Sequence, residues 1–459
     1  MNPGLIDPYS ALPGPALREL LRMLPGLRDN PLQFLLDTAN RYGDLAQFKV
    51  GNRYAFVLTG PEEIQYVLQE NNRNYTKDTI QYNSLARVTG RGLLTSDGDL
   101  WLRQRRRMQP AFHRQKIASF GPLMAAAAAR RMDAWAALPG GNALDVDREM
   151  MELALEILGR ALLGVDLRRE APALTSAVLV ALDHIVLGLK SPSLLPGWVH
   201  TPRQRRFELA MRALDSAVQD IIRAHRARSG GEGSSLLDVM LRSTDDGEGM
   251  SDQQLRDELI TILIAGHETV ASALTWACYL LAQNPTAEAR LRQELRQALG
   301  EGHNLRPPSV DDLPALDYTR RVFDETLRLY PPAWLVTRKN VQDDTIRGAR
   351  IPAGSLVVIS IAGVQRSPAS WNNPQQFDPD RFLPENSAGR HRYAYLPFGG
   401  GPRLCIGNTF ALQEAPLVLA AIYQRYHLEL VDPEAVIVDA LVTQRPRGGL
   451  HMRVRPADG

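Results

Sequence analysis

The feature that most constrains this chain is one long apolar stretch, Leu255 to Leu281. Ser251-Asp-Gln-Gln254 in front of it is a capping box, with Ser251 as N-cap and Gln254 reaching back from N3. Asn284-Pro285 closes it, Asn as cap and Pro opening the next helix. The pattern predicts a helix of about 30 residues, roughly 45 Å long at the usual rise. Ile260–Ala265 and Val270–Leu274 are apolar almost all round, so this helix is buried and runs through the middle of a fold. Further helices are expected at 31–42, 61–70, 99–108, 117–137, 148–163, 171–187, 203–226, 285–299, 316–329 and 408–425. Strand patterns are few and short, at 45–50, 54–58, 338–341, 356–360 and 451–454. The expected fold class is mainly α, with small β-sheets at the margin.

Bulk properties narrow the function classes. The 459 residues carry 53 basic and 51 acidic side chains, a net charge of +2, which argues against a nucleic-acid binder relying on bulk charge. Two cysteines, Cys278 and Cys405, are too few for a disulfide scaffold and favour a reducing compartment. The opening MNPGLIDPYS lacks the charged and apolar regions of a signal peptide. No unbroken run of about 18 apolar residues occurs, so a membrane-spanning helix is not expected. The expectation is a soluble, cytoplasmic monomer. The Gly/Ser-rich stretch Ser229–Ser235 is short and reads as a loop, so one domain over 1–459 is expected.

The chemistry is concentrated in Phe398-Gly-Gly-Gly-Pro-Arg-Leu-Cys-Ile-Gly407. Glycines allow close backbone approach to a flat ligand. A helix begins at Asn408, and the start of a helix stabilises a thiolate. A lone cysteine in a turn is ordinarily inert, but the whole pattern Phe-x-x-Gly-x-Arg-x-Cys-x-Gly is not ordinary. Over essentially its whole length the chain resembles the cytochrome P450 superfamily, whose fold is a helical prism with small marginal β-sheets. The resemblance implies heme b (iron protoporphyrin IX) with Cys405 as the iron ligand, and Phe398, Arg403 and Gly407 as parts of its cradle. Thiolate ligation pushes electron density onto the iron and favours O–O cleavage, this family being the standing example.

Other segments carry the same resemblance. Ala265-Gly-His-Glu-Thr269, in the middle of the long helix, matches the oxygen-activation motif. A charge inside an apolar helix is costly without a task or a partner. The resemblance implies that Thr269 hydrogen-bonds the oxygen being activated, that Glu268 helps deliver protons, and that Gly266 lets the helix loosen; His267 reads as a histidine supporting the site from behind or packed in the core, rather than a catalytic one. Glu325-Thr-Leu-Arg328 matches a Glu-x-x-Arg pair that Arg381, downstream, joins in a buried structural triad. Trp101 and Arg105, with Arg338 and Arg403, match the residues that hold the heme propionates, a task suited to the planar guanidinium. Between Asp99 and Asp133 there is no acidic residue, while Arg103, Arg105, Arg106, Arg107, Arg114 and Lys116 are basic. That stretch is either a docking patch for an acidic electron donor or a solvated helix face.

Within the superfamily the chain is similar to soluble bacterial P450s that hydroxylate carotenoid rings, through Gln81-Tyr82, Leu85–Leu94, Ala265–Trp276, Leu327–Trp334 and Phe398–Val418. It departs from them through much of Ala171–Arg206, and is longer around Gly230–Gly249 and Gly300–Asp312. Gln81, Leu93, Leu94, Ile262, Ala265, Ala333, Trp334, Val336 and Val442 are expected to line the pocket. None is charged, which implies a large apolar substrate. A carotenoid β-ring is the expected target, with a fatty acid or another terpenoid as alternatives; Arg87 or Arg91 could supply a carboxylate anchor. Peripheral membrane contact through Leu194, Leu195, Trp198 and Val199 of Lys190–His200 competes with ordinary packing. No nucleotide fingerprint or iron–sulfur cysteine set is present in the sequence. Electrons are therefore expected from a ferredoxin and an NAD(P)H-dependent ferredoxin reductase, with O2 as co-substrate. A heme protein that binds ligand without turnover is the alternative of a different class, and Glu268-Thr269 argues against it.

Overall fold

The computed structural model describes residues 12–137, 143–190, 201–227, 235–242, 249–300, 305–440 and 442–457. Two compact units are assembled from segments far apart in the chain.

The first unit is Met1–Ser84, Arg328–Gln376 and Ser387–Cys405. Its five-stranded sheet has the order 45–50, 53–58, 356–360, 335–340, 75–76. All pairings are antiparallel except that of 53–58 with 356–360, which sets Ala55 opposite Leu356 and Leu58 opposite Ile359. The two parallel strands are apolar runs, as buried parallel strands usually are. Phe56, Leu58, Val357 and Ile359 form one core with Ile64, Val67 and Leu68 from 61–70 and with Tyr393 and Leu396. The strand expected at 338–341 is Leu335–Asn340, and 61–70 changes from α-helix to a π turn at Tyr66.

The second unit is Leu85–Leu327, Phe377–Asn386 and Ile406–Gly459. Its central helix is Asp252–Gln283, with both halves of the expected capping box formed at 3.2 and 3.1 Å. Nearly every residue from Leu255 to Leu281 is buried. The helix Val146–Leu158 packs along it so closely that a Cβ on Gly266 would lie 2.3 Å from Leu158 Cδ1. Gly266 therefore has a packing reason to be glycine, besides any loosening of the helix. A three-stranded antiparallel sheet joins 143–145, 451–456 and 426–430. The hairpin 438–440/444–446 is fastened to the central helix, because Ser272 Oγ and Trp276 Nε1 both donate to the Gln444 carbonyl, at 2.5 and 3.0 Å.

The helix expected over 117–137 is broken at Phe120, ahead of Pro122, into Arg114–Ser119 and Gly121–Ala136. Helices Leu17–Asp29 and Ile80–Thr89 had no counterpart in the sequence reading. Among the described residues two helical spans, Ala171–Gly188 and Asp252–Gln283, are long and apolar enough by composition to cross a membrane, but the second has 83% of its apolar window buried inside the protein. The loop Lys190–His200, where membrane contact was expected, lies outside the described residues apart from Lys190.

Candidate active site

In the second unit the polar break of the central helix forms a buried acid centre. Ala265, Gly266 and Thr269 are partly open, whereas His267 and Glu268 are buried. Thr269 Oγ1 donates to the Ala265 carbonyl at 2.6 Å, a back-bond to the preceding turn that tends to bend a helix. Glu268 Oε1 accepts from Thr443 Oγ1 at 2.8 Å and lies 4.0 Å from Arg445 Nη1, while Oε2 has no hydrogen-bond partner among the described residues. Burial pushes the Glu268 carboxyl up to about 7, although Arg445 and Thr443 draw it down. Arg445 also donates to Asp147 at 2.5 Å, and Asp147 accepts from Thr275 Oγ1 at 3.4 Å. One guanidinium thus serves two buried carboxyls, so a proton on one of them balances the set. Burial, aided by Arg445, holds His267 down to about 3, and its Nε2 is 3.3 Å from Thr175 Oγ1. It is a neutral core histidine, as expected.

Trp101 and Arg105 sit one turn apart on the helix Gly98–Met108, both half-buried. Arg103, Arg106 and Arg114 are exposed and Arg107 is half-buried. Lys116 extends over the Phe120 ring, 5.1 Å from its centroid.

In the first unit Cys405 is exposed at the end of the glycine loop, and its backbone N–H donates to the Phe398 carbonyl at 3.0 Å. Gly401 has φ +63°, and a Cβ there would lie 1.9 Å from the Leu68 carbonyl oxygen, so only glycine fits. Phe398, Arg403 and Leu404 are partly open, as is Gly407 of the second unit. Arg338 is buried on its strand, and its described partners are neutral: Tyr82 Oη at 3.4 Å and the Thr337 carbonyl at 2.8 Å. A buried guanidinium beside neutral groups matches an anionic propionate. With an open cysteine three residues ahead of the helix Asn408–Tyr423, these residues fit a heme held by thiolate and arginine.

The expected structural residues are buried. Glu325 Oε1 accepts from Arg381 Nε at 3.2 Å and from the Asp378 N–H at 2.9 Å. Arg328 donates to the carbonyls of Gln365, Pro374 and Gln376 at 2.8–3.1 Å and lies over the Trp371 ring.

The expected substrate residues divide between the units. Gln81 Oε1 accepts from Thr337 Oγ1 at 2.8 Å, which ties it to the strand bearing Val336; Trp334 is buried and Ala333 is half-buried. In the second unit Ile262, Ala265 and Thr269 share one face of the central helix, Val442 directly precedes Thr443, and Leu94 is half-buried. Arg87 and Arg91 are both exposed, Arg87 over the Phe207 ring, so neither is a buried cation awaiting a carboxylate. The sequence reading missed Thr443 and Arg445. No local signal marks them, since they meet Glu268 across about 175 residues. It also passed over Glu258 and Glu414, acids buried in helices that otherwise look like core.

A family model described as Cytochrome P450 matches residues 12–451. Cyclooctatin synthase of Streptomyces melanosporofaciens is 39% identical to the chain, over 93% of this chain and 88% of its own length. Pentalenene oxygenase of Streptomyces avermitilis is 36% identical, over 88% of each. Protein LUTEIN DEFICIENT 5, chloroplastic, of Arabidopsis thaliana is 31% identical, over 85% of this chain and 68% of its own.

Proposed function

The chain belongs to the cytochrome P450 family and is a monooxygenase, and from that premise we propose that it hydroxylates a large apolar terpenoid with electrons from separate proteins. The observation that carries the chemistry is the buried Glu268, whose carboxyl burial pushes up to about 7, adjacent to Thr269. Heme b, bound through the Cys405 thiolate, would supply dioxygen binding and reductive O–O cleavage. Within the first unit the buried Arg338 and the partly open Arg403 would hold its propionates; within the second, Trp101 and Arg105 match the family pattern for the same task. Glu268 stores a proton, Thr443 and Arg445 hold its carboxyl in place, and the Thr269 hydroxyl orients the acceptor. Glu325 with Arg381 braces the second unit, and Arg328 braces the first.

Two relatives carry terpenoid names, cyclooctatin and pentalenene, which supports the substrate class. The apolar face of Ile262 and Ala265 and the exposed positions of Arg87 and Arg91 favour it over a fatty acid. A carotenoid β-ring, the target that the sequence suggested, is a member of the same class and the second reading; the lutein in the third relative's name favours it. The electron donors fit a ferredoxin and its NAD(P)H-dependent reductase, with Arg103, Arg106 and Arg114 as the exposed cations facing the donor.

The test is reconstitution with a ferredoxin and its reductase on cyclic sesquiterpenes, cyclic diterpenes, β-carotene and a long-chain fatty acid. One-oxygen products from terpenes are expected. Turnover of the fatty acid alone would overturn the substrate class.

A further inference from the structure

Two adjacent acids of the central helix grip the loop Gly90–Leu94 by its backbone. The Arg91 N–H donates to Asp257 Oδ2 at 2.8 Å, and the Leu93 N–H donates to Glu258 Oε2 at 2.9 Å. Gln104 Nε2 holds the Arg91 carbonyl at 2.8 Å and is itself fixed by Ser96 Oγ at 2.5 Å. The loop lies so close to the helix that its glycines admit no side chain. A Cβ on Gly90, at φ +63°, would come within 2.2 Å of the Asp257 carboxylate. One on Gly92 would come within 2.1 Å of Thr261 Oγ1.

The two acids are not equivalent. Asp257 is fully engaged, since Gln253 Nε2 and Arg256 Nη1 also donate to it, at 2.8 and 3.0 Å. Glu258 is completely buried, and its Oε1 has no hydrogen-bond partner among the described residues. Thr261 Oγ1, three residues on, is buried and has none either. Burial, with Asp257 beside it, pushes the Glu258 carboxyl up to about 7. A half-satisfied buried acid is a costly way to hold a loop for stability alone. Its place on the helix supplies another reason. Glu258, Ile262, Ala265 and Thr269 follow the spacing of a single helix stripe, and Leu94 is the next residue after the gripped Leu93.

We propose that Glu258 is a positioning residue that sets which substrates are accepted, by pinning Leu93–Leu94 against the helix stripe that carries Ile262, Ala265 and Thr269. The assignment rests on the monooxygenase reading and is independent of the terpenoid one. Residues three apart on a helix are neighbours, so a neutral side chain at 258 has Thr261 Oγ1 within reach while still accepting from Leu93. Glutamine should therefore replace glutamate in this role, and alanine should not.

The test uses the heme-loaded enzyme and two iron ligands read by the Soret shift, imidazole and the bulky clotrimazole, so no substrate has to be known. Glu258→Ala should weaken clotrimazole by about tenfold, the size expected for one lost buried hydrogen bond, and leave imidazole within about twofold. Glu258→Gln should bind clotrimazole and imidazole as the wild type does. Trypsin cleavage after Arg91 should speed up in Glu258→Ala and not in Glu258→Gln. If Glu258→Ala fails to fold, Glu258→Leu, which fills the volume without accepting a hydrogen bond, takes its place with the same expectation. Equal clotrimazole affinity and equal cleavage in all variants would overturn the role. So would parallel loss of imidazole and clotrimazole, which marks a general collapse. Neither outcome touches the choice between terpenoid and fatty acid, which the turnover panel decides.

Discussion

Replacing Glu268 by glutamine should make the protein more stable in mild alkali while damaging turnover. The folded state holds this carboxyl up to about 7 against an ordinary 4.5. At about 1.36 kcal/mol per pH unit, that rise corresponds to about 3 kcal/mol as an upper bound. The sign follows from proton counting. Between the two values the unfolded chain has released its proton and the folded protein keeps it, so stability falls as pH rises. The cost is absent well below 4.5, accrues between 4.5 and 7, and is complete above 7. About 2 kcal/mol of it should appear between pH 5 and pH 8. Glu268→Gln removes the ionisation and keeps an oxygen to accept from Thr443 Oγ1. The assay is urea unfolding of wild type and Glu268→Gln, followed by tryptophan fluorescence at both pH values. Titrating groups not coupled to Glu268 cancel in the difference between the two proteins. Glu268→Gln should gain on wild type by about 2 kcal/mol more at pH 8 than at pH 5. An unchanged difference would refute the raised carboxyl, and with it the stored proton. NAD(P)H consumption should meanwhile yield more hydrogen peroxide and less product in the variant.

Cys405→Ser should lose the reduced carbon-monoxide band typical of thiolate ligation, because a serine oxygen is not a soft anionic donor; a surviving band would reassign the ligand. Thr269→Ala should retain heme and substrate binding yet divert reducing equivalents to peroxide, measured as product formed per NAD(P)H consumed. Replacing exposed Arg103 and Arg106 by glutamine should slow reduction by an acidic ferredoxin several-fold at low salt and flatten its salt dependence, as read by stopped-flow. Gly90→Ala should cost more than about 1 kcal/mol in urea unfolding, since φ +63° and the Asp257 carboxylate both oppose a methyl group.

The legible parts of this protein are those fixed by interactions within a few residues. Ser251 and Gln254 mark the start of the central helix and Asn284-Pro285 its end, because caps act on their own turn. The helices Pro31–Tyr42 and Pro285–Leu299 and the strands Leu45–Val50 and Leu356–Ser360 stand where periodicity places them. The cysteine loop is legible because its chemistry lies in ten consecutive residues. Leu17–Asp29 was not, since Pro25 lies inside the helix and a proline there ordinarily argues against one.

Sequence alone determined that a buried helix carries Glu268 and Thr269, and that a glycine loop presents Cys405 just ahead of another helix. Tertiary structure decided the state of those groups. Whether Glu268 holds a proton depends on burial, on Thr443 and on an Arg445 shared with Asp147, none of which is near it in the chain. Whether Arg338 is a solvated charge or a buried one depends on a strand pairing that joins 335–340 to 356–360 and 75–76. Whether Gly90 and Gly92 are mere turn residues or clearance for a gripped loop depends on how the central helix passes beneath them. Capping and periodicity are short-range and are written in neighbouring residues. Proton affinity, desolvation and steric clearance are set by whichever atoms packing brings within a few ångströms, and only the folded chain specifies which those are.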